Sequence, residues 1–261
     1  MATHNADSQL KTPRYRLTYD WHTHTTFSHG LGSVADNVRA AARRGLLGVG
    51  ITDHGPGHLF YGFKRARFAE MRRETEALKA QNPGLAVLMG LEANIVNASG
   101  RLDLSPAEFA LFDYVIAGYH YGAFGENPLA LGFLHAENML SDTLGLSAKR
   151  LLIKNTEMVE KALYTNDIKM LTHPGDKGPA DLFAIARACA ETNTLFEINT
   201  RHKSLTAEGL RTAARTEVRF AVSSDAHSPK RVGEAAHAIA LIREAGLDMA
   251  RVVNLTEESE D

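Results

Sequence analysis

Short apolar runs alternate with amphipathic stretches along nearly the whole chain. Tyr15-Arg16-Leu17-Thr18-Tyr19 alternates at period two, which predicts a strand running on into Asp20-Trp21-His22-Thr23-His24. Val34 to Arg44 has helical spacing, with Ser33 placed as its N-cap and Gly45 as its stop. The same reading gives strands over 46–52, 85–91, 113–119, 168–172, 195–199 and 218–223, with one more short strand over 251–255. Helices are expected over 68–81, 106–112, 139–165, 179–193, 206–216 and 233–245. Residues 121–138 carry Gly, Pro and Asn and are too long for a simple connector, so they read as a loop over the site. Residues 1–13 are polar and patternless, a flexible tail.

Strand and helix alternate from 14 to 256 with no linker-like break, which argues for one α/β domain. Seven main strands at βα-unit spacing predict a parallel sheet closed into a distorted, TIM-barrel-like (β/α)7 barrel. An open doubly wound sheet would give the same string, so closure is the inferred step.

Composition changes this picture little. A hydrophobic share of 44% supplies a core for a barrel of this size, and the formal charge of −2 gives no global attraction to nucleic acid or an anionic membrane. Recognition of an anion must therefore be local. The single Cys189 lies in an apolar helical stretch, has no partner for an intrachain disulfide and reads as a small core residue. Neither a basic-then-apolar leader nor an apolar run of membrane-spanning length is present, so the expectation is a cytoplasmic protein without a membrane partner.

The informative feature is where the polar residues fall. Nearly every expected strand ends in a histidine or carboxylate: His22 and His24, His54, Glu92, His120, His173, then Asp225 and His227. With His29 in the first loop, seven of the 12 histidines lie in these motifs. In a parallel barrel all strand C-termini open on one rim, where active sites are built. One strand-end histidine is ordinary structure. A set converging on one rim is a seat for several metal ions, since neutral imidazole and carboxylate are good ligands for zinc, iron and manganese.

The motifs Asp20-x-His22-x-His24, Thr52-Asp53-His54-Gly55, Gly90-Leu91-Glu92-Ala93-Asn94, Ala117-Gly118-Tyr119-His120, Thr172-His173-Pro174-Gly175, Glu197-Ile198-Asn199 and Ser224-Asp225-Ala226-His227 resemble the PHP (polymerase and histidinol phosphatase) family in order and number. The resemblance spans roughly residues 16–245 and is nearest to the stand-alone bacterial YcdX-like type. It implies a distorted seven-stranded barrel with three metal ions. One would be held by His22, His24, Glu92 and Asp225. Glu92 would bridge to a second held by His120 and His173, and the third would take His29, His54 and His227 with help from Asp225. The fit of His29 requires a one-residue gap.

Three divalent ions, seven neutral imidazoles and two carboxylates sum to a strongly positive site, roughly +4, suited to a phosphate rather than a neutral amide. The expected reaction is hydrolysis of a small phosphate ester, a phosphomonoester before a diester, by a metal-bound hydroxide at a trinuclear centre. Glu92, Asp225 and Asp20 are the expected catalytic carboxylates. Asp20 is favoured over Asp53 as the acceptor of a histidine's free N–H, because it shares the strand face of His22. Arg201 and Lys177 follow strand-end motifs and are candidates for the outer phosphate oxygens. Trp21 faces away from His22 and is expected between barrel and helices. The rim segment 55–63 is apolar and aromatic, a pocket wall or a subunit contact that leaves an oligomer open. The competing readings are a phosphodiesterase or nuclease acting on short nucleotides, and a C–N-hydrolysing amidohydrolase. Those amidohydrolases place a metal-bridging lysine on a middle strand, where this chain has Glu92 and His120. No run of basic residues alternating with aromatics supports a stable nucleic-acid partner.

Overall fold

The computed structural model describes residues 14–125, 128–144 and 148–258, so the expected tail lies outside the described residues. The elements run β1 (Tyr15–Leu17), β2 (Tyr19–Thr23), α1 (Val34–Arg43), β3 (Gly48–Ile51), α2 (Phe68–Gln81), β4 (Ala86–Asn94), α3 (Pro106–Phe109), β5 (Tyr114–Gly118), α4 (Pro128–Leu144) and α5 (Ala148–Thr165). They continue with β6 (Met170–Leu171), α6 (Leu182–Glu191), β7 (Leu195–Asn199), α7 (Ala207–Ala214), β8 (Phe220–Ser223), α8 (Ala236–Ala245) and β9 (Leu255–Glu257). Strands β2 to β8 pair in sequence order, each parallel to the next. The ring closes at the rim, where Thr23 bridges Ala226 and the His24 N–H donates to the Ala226 carbonyl at 2.8 Å. At the opposite end of this seam, Asn254 stands in for a strand. Its amide donates to the carbonyls of Tyr19 (2.8 Å) and Val222 (2.6 Å), and its oxygen accepts the Val222 N–H.

The barrel holds two cores. One lies between strands and helices and includes Val49, Val87, Met89, Leu91, Phe196, Phe220 and Val222. The other joins Ile116, Met170, Leu195 and Ala221 to Trp21 and Tyr114, side chains from five strands that fill the lumen. The Tyr114 hydroxyl donates to the Trp21 carbonyl, and a Cβ at Gly50 would lie only 1.7 Å from that hydroxyl oxygen. Glycine on β3 therefore makes room for the tyrosine crossing the lumen.

Five local expectations need correction. The first strand breaks at Thr18, because β1 leaves the barrel to pair antiparallel with β9. That last strand covers 255–257, with a 3-10 turn over 249–251 ahead of it. The segment 121–138 is not all loop: Pro128, suited to the first turn of a helix, opens α4. Helix 139–165 is correspondingly two helices, α4 and α5. Trp21 packs inside the barrel rather than outside, because β2 shifts register between Asp20 and Thr23.

Candidate metal centre

The same shift decides which side chains of β2 reach the centre. Strict alternation would put Asp20 on the face of His22 and His24, but the bulge separates them. The Asp20 carboxylate instead accepts from the Ser224 N–H and hydroxyl and from the Gly233 N–H. It fixes the turn that carries Asp225, and the expected contact with an imidazole nitrogen is not made. Glu197 makes it, with Oε1 lying 2.7 Å from His22 Nδ1. Asp53 accepts from both the N–H and hydroxyl of Thr25 and of Ser28, holding the loop that bears His29.

Glu92, fully buried at the C-terminal half of β4, is the hub. Its Oε1 lies 3.1 Å from His173 Nε2, 3.3 Å from His120 Nε2 and 3.4 Å from His22 Nε2. Its Oε2 lies 2.9 Å from His54 Nδ1 and 3.6 Å from His24 Nε2. Asp225, past the end of β8, places Oδ1 3.2 Å from both His24 Nε2 and His227 Nδ1. Among the described residues, donor atoms gather within 4.8 Å of one another in three sets: His22, His24 and Asp225; His54, Glu92 and His120; and His24, His54 and His227. His29 belongs to none of these sets, although its ring stands 4.2 Å from that of His227 and 4.9 Å from that of His54. Two residues of the centre, His173 (φ 31°) and Asp225 (φ 50°), adopt the left-handed backbone that non-glycine residues rarely take, a strain typical of functional sites.

Bare nitrogens meeting bare nitrogens need a cation. His22 Nε2 lies 3.0 Å from His24 Nε2, and His120 Nε2 lies 3.1 Å from His173 Nε2. With His22 Nδ1–H donated to Glu197 and His120 Nδ1–H to Asn94 Oδ1, the neutral rings turn lone pairs toward each other. The buried atoms His24 Nδ1, His29 Nδ1, Glu92 Oε2 and Asp225 Oδ1 make no hydrogen bond. This donor set fits divalent metal ions.

The electrostatics point the same way. Burial opposes charge on His22, yet Glu92, Asp225 and Glu197 raise its pKa well above the usual histidine range, a pull on positive charge that a bound metal cation would answer in place of the proton. Burial likewise opposes charge on Glu92, which His22, His120 and His54 keep well below the carboxylate range. Burial, followed by neighbouring His54 and His227, drives His24 well below its usual value.

Burial lowers His29 and His58 to about 4 and His54 to about 3. An unfolded chain protonates these rings near 6.5, whereas the fold resists until 4 to 3, so their stabilisation is present above 6.5 and lost as pH falls. The depressed Glu92 and Asp225 act in the same direction. His22 and His202, the latter raised to about 9, act oppositely: their contribution is full below 6.5 and fades on alkalinisation. We expect the melting temperature of chelator-treated protein to drop as pH falls from 6.5 to 4, read by calorimetry. A flat profile would contradict these ionisations.

Arg201 reaches the centre: its Nη1 lies 2.9 Å from the His227 ring nitrogens and 3.7 Å from Asp225 Oδ1. Lys177 instead pairs with Asp176. Tyr61 stacks on His58 with centroids 3.5 Å apart and lies 4.0 Å from the His29 ring, so the 55–63 segment forms one wall of the site. His135, within the segment expected to be a loop over the site, lies buried on α4 and hydrogen-bonds the Tyr119 hydroxyl and the Ala123 carbonyl.

Glu197 and Asn199 stand in the Glu197-Ile198-Asn199 motif, whose roles appear only in the structure. Asn199 Oδ1 accepts the backbone N–H groups of Arg201 and His202, both at 2.8 Å, and its amide donates to Glu197 and Asp225. The available signal was parity: Leu195, Glu197 and Asn199 share a strand face, and two polar residues there must point into the barrel mouth.

A ring of parallel strands with imidazoles and carboxylates gathered on its C-terminal rim defines a (β/α)-barrel built around a metal centre. The chain belongs to the PHP domain family, whose model matches residues 20–201. It is 27% identical over 247 residues to "Probable phosphatase YcdX" of Escherichia fergusonii, covering 91% of this chain and 89% of that protein. A "Probable phosphatase" of Thermoanaerobacter sp. is 28% identical over 254 residues, covering 92% and 91%. The crystal structure of histidinol phosphate phosphatase from Lactococcus lactis, complexed with zinc, L-histidinol and phosphate, shares the fold. Its TM-score is 0.61 at 18% identity, over 88% of this chain and 94% of that one.

Proposed function

We propose that this chain hydrolyses a small phosphoric ester, a phosphomonoester, at a centre of three divalent ions. The observation that carries the reading is Glu92, with five imidazoles from four strand ends within 3.6 Å of one carboxylate. His22, His24, Glu92 and Asp225 would hold one ion, Glu92, His120 and His173 a second, and His54 and His227 a third with His29 and Asp225 beside them. Zinc, manganese and iron all suit these donors. When bound, such ions neutralise phosphoryl oxygens and bring the pKa of water toward ~7.

The chain's own residues do the rest. Glu197 and Asn94 fix the tautomers of His22 and His120, so that their Nε2 lone pairs face inward. Arg201 offers a planar fork to the outer phosphate oxygens, whereas the charge of Lys177 is taken up by Asp176. Asp20 acts at one remove, by holding the turn that carries Asp225. The names of the curated relatives and the ligands of the Lactococcus enzyme support the same chemistry. The cytoplasm fits this reading. No helix among the described residues is long and apolar enough to cross a membrane.

The test is metal analysis of purified protein, followed by a panel of phosphomonoesters, phosphodiesters and amides with added Mn2+, Zn2+ or Fe2+. Release of inorganic phosphate from monoesters, abolished by chelation, is the expected result. Turnover confined to amides or diesters would reject it.

A further inference from the structure

Asp225 divides its two oxygens between the protein and the centre. Oδ2 lies 3.3 Å from both Asn199 Nδ2 and His202 Nε2. Oδ1 is buried without a hydrogen bond and faces His24 and His227, each at 3.2 Å, and His22 at 3.7 Å. A carboxylate turns readily about its last torsion, so either oxygen could face inward unless something selects one.

The selecting group must itself be fixed, and His202 is. Its Nδ1 lies 3.0 Å from Asp176 Oδ2, and Asp176 is in turn gripped by Lys177. Its backbone N–H is tied to Asn199 Oδ1, and its ring packs 4.7 Å from that of His173. A chain of contacts therefore runs Lys177–Asp176–His202–Asp225 and ends on one oxygen of a candidate ligand. With both ring nitrogens engaged, His202 presents no free nitrogen to a substrate.

We propose that His202, braced by Asp176, is a positioning residue for Asp225, holding Oδ2 back so that Oδ1 is presented to the His22–His24 pair. This rests on reading the rim as a metal centre and not on the identity of the substrate. Without the imidazole, Asp225 can rotate or can share both oxygens with Asn199 and the centre.

The test uses the full chain as His202→Ala, His202→Gln and Asp176→Asn. Zinc affinity is measured by competition with a chelator, and kcat and KM are measured on whichever phosphoester the wild type turns over. His202→Ala should lose Zn2+ affinity by about 10- to 100-fold, the range for partners that orient a metal ligand, with kcat falling and KM little changed. His202→Gln places an amide N–H near the lost Nε2 and should recover most of the affinity. Unchanged zinc affinity in His202→Ala overturns the proposal, as does a rise in KM alone, which would mark a substrate contact. Should His202→Ala fail to fold, Asp176→Asn removes the charge that braces the His202 ring and so loosens its hold on Asp225 Oδ2, and wild-type zinc affinity in that variant overturns the proposal equally. Loss of zinc affinity in a chain whose wild type hydrolyses no phosphoester would sustain this inference and sink only the proposed function.

Discussion

Glu92→Gln should leave the barrel folded and the centre disabled. The amide keeps the volume of the side chain but replaces an anion with a neutral group that carries its own N–H donors. Five imidazoles within 3.6 Å lose the charge that gathers them, and among the described residues no other carboxylate pairs with the ring nitrogens of His120, His173 or His54. Metal per chain should fall, and kcat/KM should drop by more than about 100-fold, the upper end of the loss for groups that merely support a ligand. Elemental analysis and steady-state kinetics read the two effects, with circular dichroism as the control for folding. Wild-type metal content and turnover in this variant would remove the basis of the proposed function.

Arg201→Ala should separate substrate binding from metal binding. The guanidinium is partly exposed and lies beside His227 and Asp225, where a phosphoryl group held by the centre would come within its reach. A hydrogen bond to a charged group contributes about 1.5–3 kcal/mol, so kcat/KM should fall roughly 10- to 100-fold while bound metal stays unchanged. Lysine at this position should restore only part of the loss, since it supplies charge without the planar fork. An Arg201→Ala enzyme with unaltered kinetics would return this side chain to ordinary rim structure.

How much of this was legible beforehand depended on parity. The order of strands and helices could be read from apolar runs, because each strand of a parallel barrel is covered on both faces and stays apolar throughout. The rim residues were legible for the same reason: His54, Glu92, His120, His173 and Asp225 each interrupt such a run at its end. Parity then misled at β2. The extra residue in the register shift turns Asp20 away from the histidines and brings Trp21 into the lumen, and nothing in Tyr19-Asp20-Trp21-His22 announces a bulge. Contacts set by tertiary approach were equally hidden. His202 lies three residues beyond Asn199 in a loop, and its pairing with Asp176 depends on two neighbouring strands ending at the same height. The α4 start at Pro128 was concealed by the Gly- and Asn-containing stretch before it, which has the composition of a loop.

The seam between the first and last barrel strands bears on how this protein is made. His22 and His24 emerge from the ribosome well before Asp225, His227 and the plugging Asn254. Until those residues are translated, the two histidines lack their partners from the other side of the seam. Closure of the wall and assembly of the rim must therefore come late and together, so nascent intermediates would carry an open edge and a half-built chelating site.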